Sequence, residues 1–101
     1  MMTKSILQEK KECLICRTTG VLHQHHVFEG VGRRKISDRE GLTVWLCPHH
    51  HNMSNNSVHY NKLMDLKIKK WAEQKWLDHN KKTIEDFIKV IGKNYLWKLL
   101  K

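Results

Sequence analysis

The sequence has few of the features that direct a protein to a membrane or to an oxidising compartment. Its 101 residues contain no apolar run of about 18 residues, the length that a transmembrane helix needs. The first twelve residues, MMTKSILQEKKE, lack the apolar centre of a secretory signal peptide. Cysteine occurs three times, an odd number that suits a closed set of disulfides poorly. We therefore expect a cytoplasmic protein in a reducing environment, without a membrane segment.

The chain also offers little material for a large apolar core. Aromatic residues make up 8% of it, and proline occurs once, at Pro48. The length predicts a single domain over residues 1–101, with a modest core. A bound metal ion would add stability that packing alone does not supply in a chain of this size.

Acidic residues are scarce relative to basic ones. Ten Asp and Glu against nineteen Lys and Arg give a formal net charge of +9 at pH 7. This balance favours a polyanionic partner, with DNA or another nucleic acid as the first candidate. A solvated basic surface without a partner would give the same composition.

The apolar pattern predicts two strands in the first half of the chain. Residues 21–28 (VLHQHHVF) and 42–46 (LTVWL) are rich in apolar and β-branched residues. The intervening residues 29–41 are charged and contain glycine, which indicates a loop. Pro48 suits the first turn of a short helix after Cys47, because the N–H that proline lacks is not needed there.

Helices are predicted in the second half. Residues 58–78 carry apolar side chains at helical spacing: Met64, Ile68, Trp71 and Ala72. Thr83 is a predicted N-cap with Asp86 in the reciprocal position, and Gly92 is a predicted stop. The stripe of this last helix is Ile84, Phe87, Ile88 and Ile91. Both stripes are expected to face the core, and the tail is expected either to dock through Tyr95, Leu96 and Leu99 or to contact a partner.

Cysteine and histidine form two short-spaced pairs. Cys13-x-x-Cys16 and Cys47-x-x-His50 are separated by about thirty residues, as in structural zinc sites. Two ligands at this spacing can both reach one ion at about 2.0–2.3 Å, and a second pair completes the tetrahedron. We predict these four residues as zinc ligands. His49 is the alternative to His50, and three reduced buried cysteines without a metal are the alternative to zinc.

Six of the eight histidines lie in two clusters. The first predicted strand carries His23, His25 and His26, and the segment after the second carries His49, His50 and His51. Neighbouring strand residues point to opposite faces, so one of a consecutive pair can bind a metal while the other remains free to transfer protons. A strand–loop–strand–helix unit with histidines at these places is a ββα-metal arrangement.

At this point the sequence resembles a known family. HQHHVF followed by LCPHHHN, with C-x-x-C upstream, is similar to the zinc-containing HNH endonucleases. The longer pattern HHVFEGVGRRKIS, EGL and LCPHHHNMSNNSVH resembles small phage-encoded, RecA-dependent nucleases of the Ref type. The resemblance covers roughly residues 13–77 and implies an α+β fold. Its zinc-stapled, treble-clef-like ββα-metal core would span about residues 10–57, and two or more helices would follow over about 58–101.

The resemblance also implies roles for individual residues. His25 and His51 would bind a catalytic Mg²⁺ or Mn²⁺ ion, and His26 would be the general base that activates water. His59 would be the third ligand, with Asn55 as the alternative. Eight residues of continuous helix span about 12 Å, so His59 can reach the ion only if the helix breaks within residues 54–57.

One feature departs from the family pattern. Many HNH proteins have an asparagine before the second strand that braces the base, whereas this chain has Glu40-Gly41-Leu42. The bracing of His26 must therefore come from elsewhere. The basic residues between the strands are the predicted phosphate contacts: Arg33, Arg34 and Lys35.

These features predict a metal-dependent DNA endonuclease of the HNH type with weak sequence specificity, linked to DNA recombination. A RecA-type recombinase filament is a second partner implied by the resemblance. If the protein is phage-encoded, the compartment would be the cytoplasm of the bacterial host. The alternative is a zinc-containing DNA-binding or recombination accessory module with little or no cleavage activity.

Overall fold

Two short strands and four helices make up the described part of the chain. The computed structural model describes residues 4–30, 32–51, 57, 59 and 61–96. The elements are β1 (His23–His26), α1 (Arg33–Glu40), β2 (Thr43–Leu46), α2 (Pro48–His51), α3 (Lys62–Asn80) and α4 (Ile84–Ile91). The predicted α+β class is confirmed. None of these helices is long and apolar enough to cross a membrane.

The two strands form an antiparallel pair that sets the directions of the histidines. His25 lies opposite Val44, His26 opposite Thr43 and His23 opposite Leu46. Both strands are shorter than predicted: β1 covers four of the predicted residues 21–28, and β2 begins at Thr43 instead of at residue 42 and ends at Leu46 as predicted. Side chains alternate along a strand, so His23 and His25 share one face of β1 and His26 lies on the other.

Helix α1 corrects the predicted loop over residues 29–41. Its sequence, RRKISDRE, has Ile36 as its one apolar residue, so no amphipathic stripe marks it as a helix. Tertiary contacts hold it in place instead. The buried Ser37 hydroxyl donates to the Phe28 carbonyl at 2.8 Å and accepts from the Phe28 N–H at 3.1 Å. Arg33 donates through Nε to the Ile91 carbonyl at the end of α4 (3.1 Å).

Glycine is required where α1 meets β2. Gly41 has a φ of 75°, and a Cβ at this position would lie 2.7 Å from the Lys4 carbonyl oxygen. The N-terminal segment crosses here, and the Ile6 N–H donates to the Gly41 carbonyl at 2.9 Å. A side chain would therefore meet both backbone strain and a neighbouring backbone atom.

Helix α3 begins later than predicted, at Lys62 rather than at residue 58. The Asn61 side chain caps it by accepting from the Met64 N–H at 3.0 Å, and the Asn61 N–H donates to the Ser57 carbonyl at 2.9 Å. The Asn61 cap therefore places the start of α3 at Lys62.

The end signals of α4 are confirmed. Thr83 and Asp86 form a reciprocal capping box, and Gly92 closes the helix with a φ of 92°. On the predicted stripe, Phe87 and Ile91 are buried and Ile84 is half-buried, whereas Ile88 is 40% exposed.

The core joins the strand region to α3 and α4. The rings of Phe28 and Phe87 have centroids 5.3 Å apart, and Trp76 packs on Phe87 at 5.4 Å. Trp76 is buried and donates its indole N–H to Glu40 at 2.9 Å. Tyr95 packs on Phe28 as the tail prediction requires, whereas Leu99 lies outside the described residues.

We predict that Gly41→Ala lowers the free energy of unfolding by about 2–4 kcal/mol, because two costs add. One is the backbone strain of an alanine at positive φ, and the other is the steric overlap of its Cβ with the Lys4 carbonyl oxygen. Gly32→Ala should cost only about 1 kcal/mol, since φ is 81° there but a Cβ would meet no atom within 4 Å. Gly20→Ala, at an open position without positive φ, should stay within about 0.5 kcal/mol of wild type. Urea denaturation measures all three, and equal losses at positions 41 and 32 would contradict the overlap.

Candidate metal centres and the histidine cleft

The four predicted zinc ligands lie together. A tight turn presents the first pair: the Cys13 N–H donates to the Thr18 carbonyl at 2.9 Å, and the Arg17 N–H donates to the Cys13 carbonyl at 2.8 Å. The second pair lies where β2 runs into α2, with the His50 N–H donating to the Cys47 carbonyl at 3.1 Å. The donor atoms of Cys13, Cys16, Cys47 and His50 all lie within 4.8 Å of one another.

The distances in this cluster match a tetrahedral site. Two thiolates at about 2.3 Å from zinc lie about 3.8 Å apart in a tetrahedron. The Sγ atoms of Cys16 and Cys47 are separated by 3.7 Å. Nδ1 of His50 is 3.3 Å from Sγ of Cys47 and 3.7 Å from Sγ of Cys13. The cluster can hold a metal ion such as zinc.

The local backbone favours a thiolate at Cys13. Burial raises the pKa of its thiol, but hydrogen bonds from the backbone at Cys16, Cys47 and Ile15 outweigh burial and lower the pKa to about 6. At Cys16 a backbone hydrogen bond from Thr18 lowers the pKa, whereas burial and the two neighbouring thiols raise it by more. Since a thiolate is the ligand form of cysteine, Cys13 is prepared for metal binding.

His50, not His49, joins the cysteines. His49 is exposed and stacks edge-on against His50, with ring centroids 4.9 Å apart. Successive residues of a helix differ in direction by about 100°, so His50 and His49 cannot both face the cysteines. The structure thereby separates the two alternatives that spacing leaves open.

A second cluster consists of the three histidines predicted to bind the catalytic ion. Donor nitrogens of His25, His51 and His59 lie within 4.8 Å of one another. The chain folds back after α2, and the His59 N–H donates to the His51 carbonyl at 3.3 Å. This return brings the Nε2 atoms of the two residues to 3.1 Å. Asn55, the alternative to His59, lies outside the described residues.

His25 and His51 of this second cluster are neutral at physiological pH. Burial lowers the pKa of His25 to about 3, and the nearby His51, His59 and Lys69 add to this effect. Burial and the neighbouring His59 and His23 lower the pKa of His51 to about 4. Nε2 of His25 is buried without a hydrogen-bond partner among the described residues. A neutral imidazole with a free lone pair is the form of histidine that can bind a metal ion.

His26 points away from this cluster and toward α1. Its Nε2 lies 3.4 Å from Oδ1 of Asp38, within ion-pair distance of an oxygen that is buried without a hydrogen-bond partner among the described residues. Nδ1 of His25 similarly lies 3.6 Å from Oε2 of Glu29. Sequence reasoning missed Asp38 because the segment that carries it reads as a loop. Its spacing from His26 becomes meaningful only once α1 is known to fold against β1.

One cleft contains both the three-histidine cluster and His26. Its volume is about 290 Å³, and its walls include His25, His26, His51, His59, Glu29 and Arg34. Of the three predicted phosphate contacts, Arg34 is exposed and lines this cleft, and Lys35 is exposed on the same helix. Arg33 is half-buried and directed to α4 through its bond to Ile91.

No protein-family model, curated protein or solved structure matches the chain. The resemblance to HNH nucleases thus rests on the motif residues.

We expect the cysteine cluster to bind zinc, and we predict that His50→Ala and Cys13→Ser each abolish this binding, because either change leaves three ligands in the cluster. His49→Ala, on the same turn of α2, should retain one zinc per chain. Elemental analysis of protein purified without added metal measures the zinc content, and thermal unfolding reports the associated loss of stability. Equal zinc content in all three variants would contradict the site.

The lowered pKa of His25 predicts a pH-dependent stability. The unfolded imidazole titrates near 6.5, whereas the folded one stays neutral until about pH 3. Below pH 6.5 the unfolded chain therefore binds a proton that the folded chain does not, and the free energy of unfolding falls as pH falls. His25 alone contributes a slope of about 1.4 kcal/mol per pH unit. Urea denaturation between pH 6 and 4.5 should give a shallower decline for His25→Gln at equal zinc content, and parallel declines would contradict the assignment.

Proposed function

We propose that the protein is a metal-dependent DNA endonuclease that hydrolyses phosphodiester bonds with weak sequence specificity. The observation that carries this proposal is the shared cleft, which combines a three-histidine ion site, a separate histidine and an arginine. A phosphodiester is an anion that repels nucleophiles, so its hydrolysis needs charge neutralisation and an activated water molecule.

His26 is the proposed general base. With Nε2 directed to Asp38, its Nδ1 is the remaining ring nitrogen that can accept a proton from water. Asp38 acts as a positioning residue: its carboxylate fixes the proton of His26 on Nε2 and stabilises the imidazolium that forms. It thereby supplies the bracing that the family obtains from an asparagine.

His25, His51 and His59 are the proposed ligands of the catalytic ion. Nitrogen ligands about 2.1 Å from an ion lie about 3.0 Å apart at right angles and about 3.4 Å apart in a tetrahedron, and the observed 3.1 Å falls between. A divalent ion there would supply a Lewis acid for the scissile phosphate and the leaving oxygen. Of the two ions expected from the sequence, Mn²⁺ suits an imidazole donor set better than Mg²⁺, which prefers carboxylate and water.

Arg34 is the proposed phosphate contact beside the reaction centre, because its guanidinium can donate two hydrogen bonds to one phosphate. Arg33 is a packing residue in this proposal, and Lys35 contacts phosphate farther along the strand. Contacts of this kind recognise the backbone, so sequence specificity is weak and binding falls steeply with salt. The net charge of +9 favours the same partner.

We predict that the wild-type protein nicks supercoiled plasmid in the presence of Mn²⁺ and that His26→Ala lowers the rate by about 10²–10⁴-fold, the usual contribution of a general base. Asp38→Asn should lower kcat by a smaller factor while leaving DNA affinity unchanged, since it acts through His26. His79→Ala changes an exposed histidine on α3 and serves as the matched control.

The same assay includes a RecA-type recombinase filament as a second arm. Cleavage only in the presence of the filament would support the Ref-type resemblance. DNA binding without nicking in either arm, with Mn²⁺, Mg²⁺ or Zn²⁺, would overturn the endonuclease and support the accessory DNA-binding module instead.

A further inference from the structure

Strand β1 carries three histidines: His23, His25 and His26. His23 is the one of these to which the proposed chemistry gives no role. It lies on the same face of β1 as His25, two residues away, and is half-buried. Its ring meets His51 edge-on, with centroids 5.1 Å apart. The contact is polar, because Nδ1 of His23 lies 3.0 Å from Nδ1 of His51.

His51 lies between His23 and the ion site. Its Nδ1 faces His23, whereas its Nε2 faces Nε2 of His59 at 3.1 Å. The two nitrogens lie on opposite sides of the imidazole ring. His23 is therefore placed behind His51, one ring farther from the ion than the three ligands.

The number of protons that the two neutral rings carry fixes the direction of this hydrogen bond. A neutral imidazole carries one N–H, and the nitrogen that binds a metal must offer a lone pair. If Nε2 of His51 faces the ion, the proton of His51 is on Nδ1, which donates to Nδ1 of His23. His23 then carries its own proton on Nε2, since two N–H groups cannot face each other at 3.0 Å.

We propose that His23 is a positioning residue for the catalytic ion: it accepts the Nδ1 proton of His51 and thereby fixes the tautomer and the ring orientation of that ligand. This inference rests on the proposed function for the identity of the ion site. A partner of this kind also makes the ligand more basic, and its loss commonly weakens metal binding by about 10–100-fold.

The two substitutions that test the proposal differ in whether an acceptor remains. In His23→Asn, the side-chain Oδ1 can occupy the place of Nδ1 and accept the proton of His51. In His23→Leu, the side chain is bulky and apolar and cannot accept it. A merely structural histidine would be replaced better by leucine than by asparagine at this half-buried position, whereas a positioning role predicts the reverse order.

The experiment is a titration of zinc-loaded protein with Co²⁺, followed by visible absorption. Zinc fills the cysteine cluster, and a His51→Ala variant identifies the part of the signal that belongs to the histidine site. We expect His23→Leu to bind Co²⁺ about 10–100-fold more weakly with an altered absorption band. His23→Asn should stay within about threefold of wild type. Zinc content and thermal unfolding establish that each variant is folded.

A second measurement does not depend on the variants. Nitrogen-15 NMR of the histidine side chains in the zinc-loaded protein, before the second ion is added, should show His51 protonated at Nδ1 and His23 at Nε2. The opposite tautomers, or unchanged Co²⁺ affinity and spectrum in folded His23→Leu, would overturn the role of His23 alone. A wild-type protein without a Co²⁺ site that depends on His51 would overturn the ion site and the proposed function together.

Discussion

The change in direction between neighbouring side chains in the single turn of α2 determines how the two candidate metal centres are arranged. Helix α2 is four residues long, and successive side chains differ in direction by about 100°. His50 is therefore aimed at the cysteines while His51 is aimed at the histidines. Because only Cys47 separates α2 from β2, the position of the sheet fixes both centres at once, and movement of this turn would disturb both.

Burial of polar residues beside the sheet lowers the free energy of unfolding, and the rest of the fold must offset this loss. His25 is 2% exposed, and a buried imidazole that stays neutral gives up stability as pH falls. Burial of Phe28, Trp76 and Phe87 supplies part of the compensation, since each fully buried aromatic side chain contributes about 2–3 kcal/mol. Zinc in the cysteine cluster would supply more, because the ligands come from separate parts of the chain.

The histidines around the cleft have different partners, and the roles proposed for them follow from those partners. His26 faces a carboxylate, His51 faces another imidazole, and His25 lies near Glu29. A carboxylate stabilises the charged form of the ring, as a general base requires, whereas a neutral acceptor leaves a ligand uncharged. In the proposed mechanism, one residue type thus provides a base and ion ligands in the cleft and a positioning residue, His23, beside His51.

The sequence by itself determined the features that depend on local spacing and capping: the two strands, the α4 caps, and the pairing of C-x-x-C with Cys47 and a histidine that follows it. Only the tertiary structure decided the contacts that join distant segments. Helix α1 has no amphipathic stripe and forms through Ser37 and Gly41, so Asp38 could not be matched to His26 from the sequence. The place of His59 likewise depends on a chain reversal, because along a straight helix it would lie too far from His51 to share an ion.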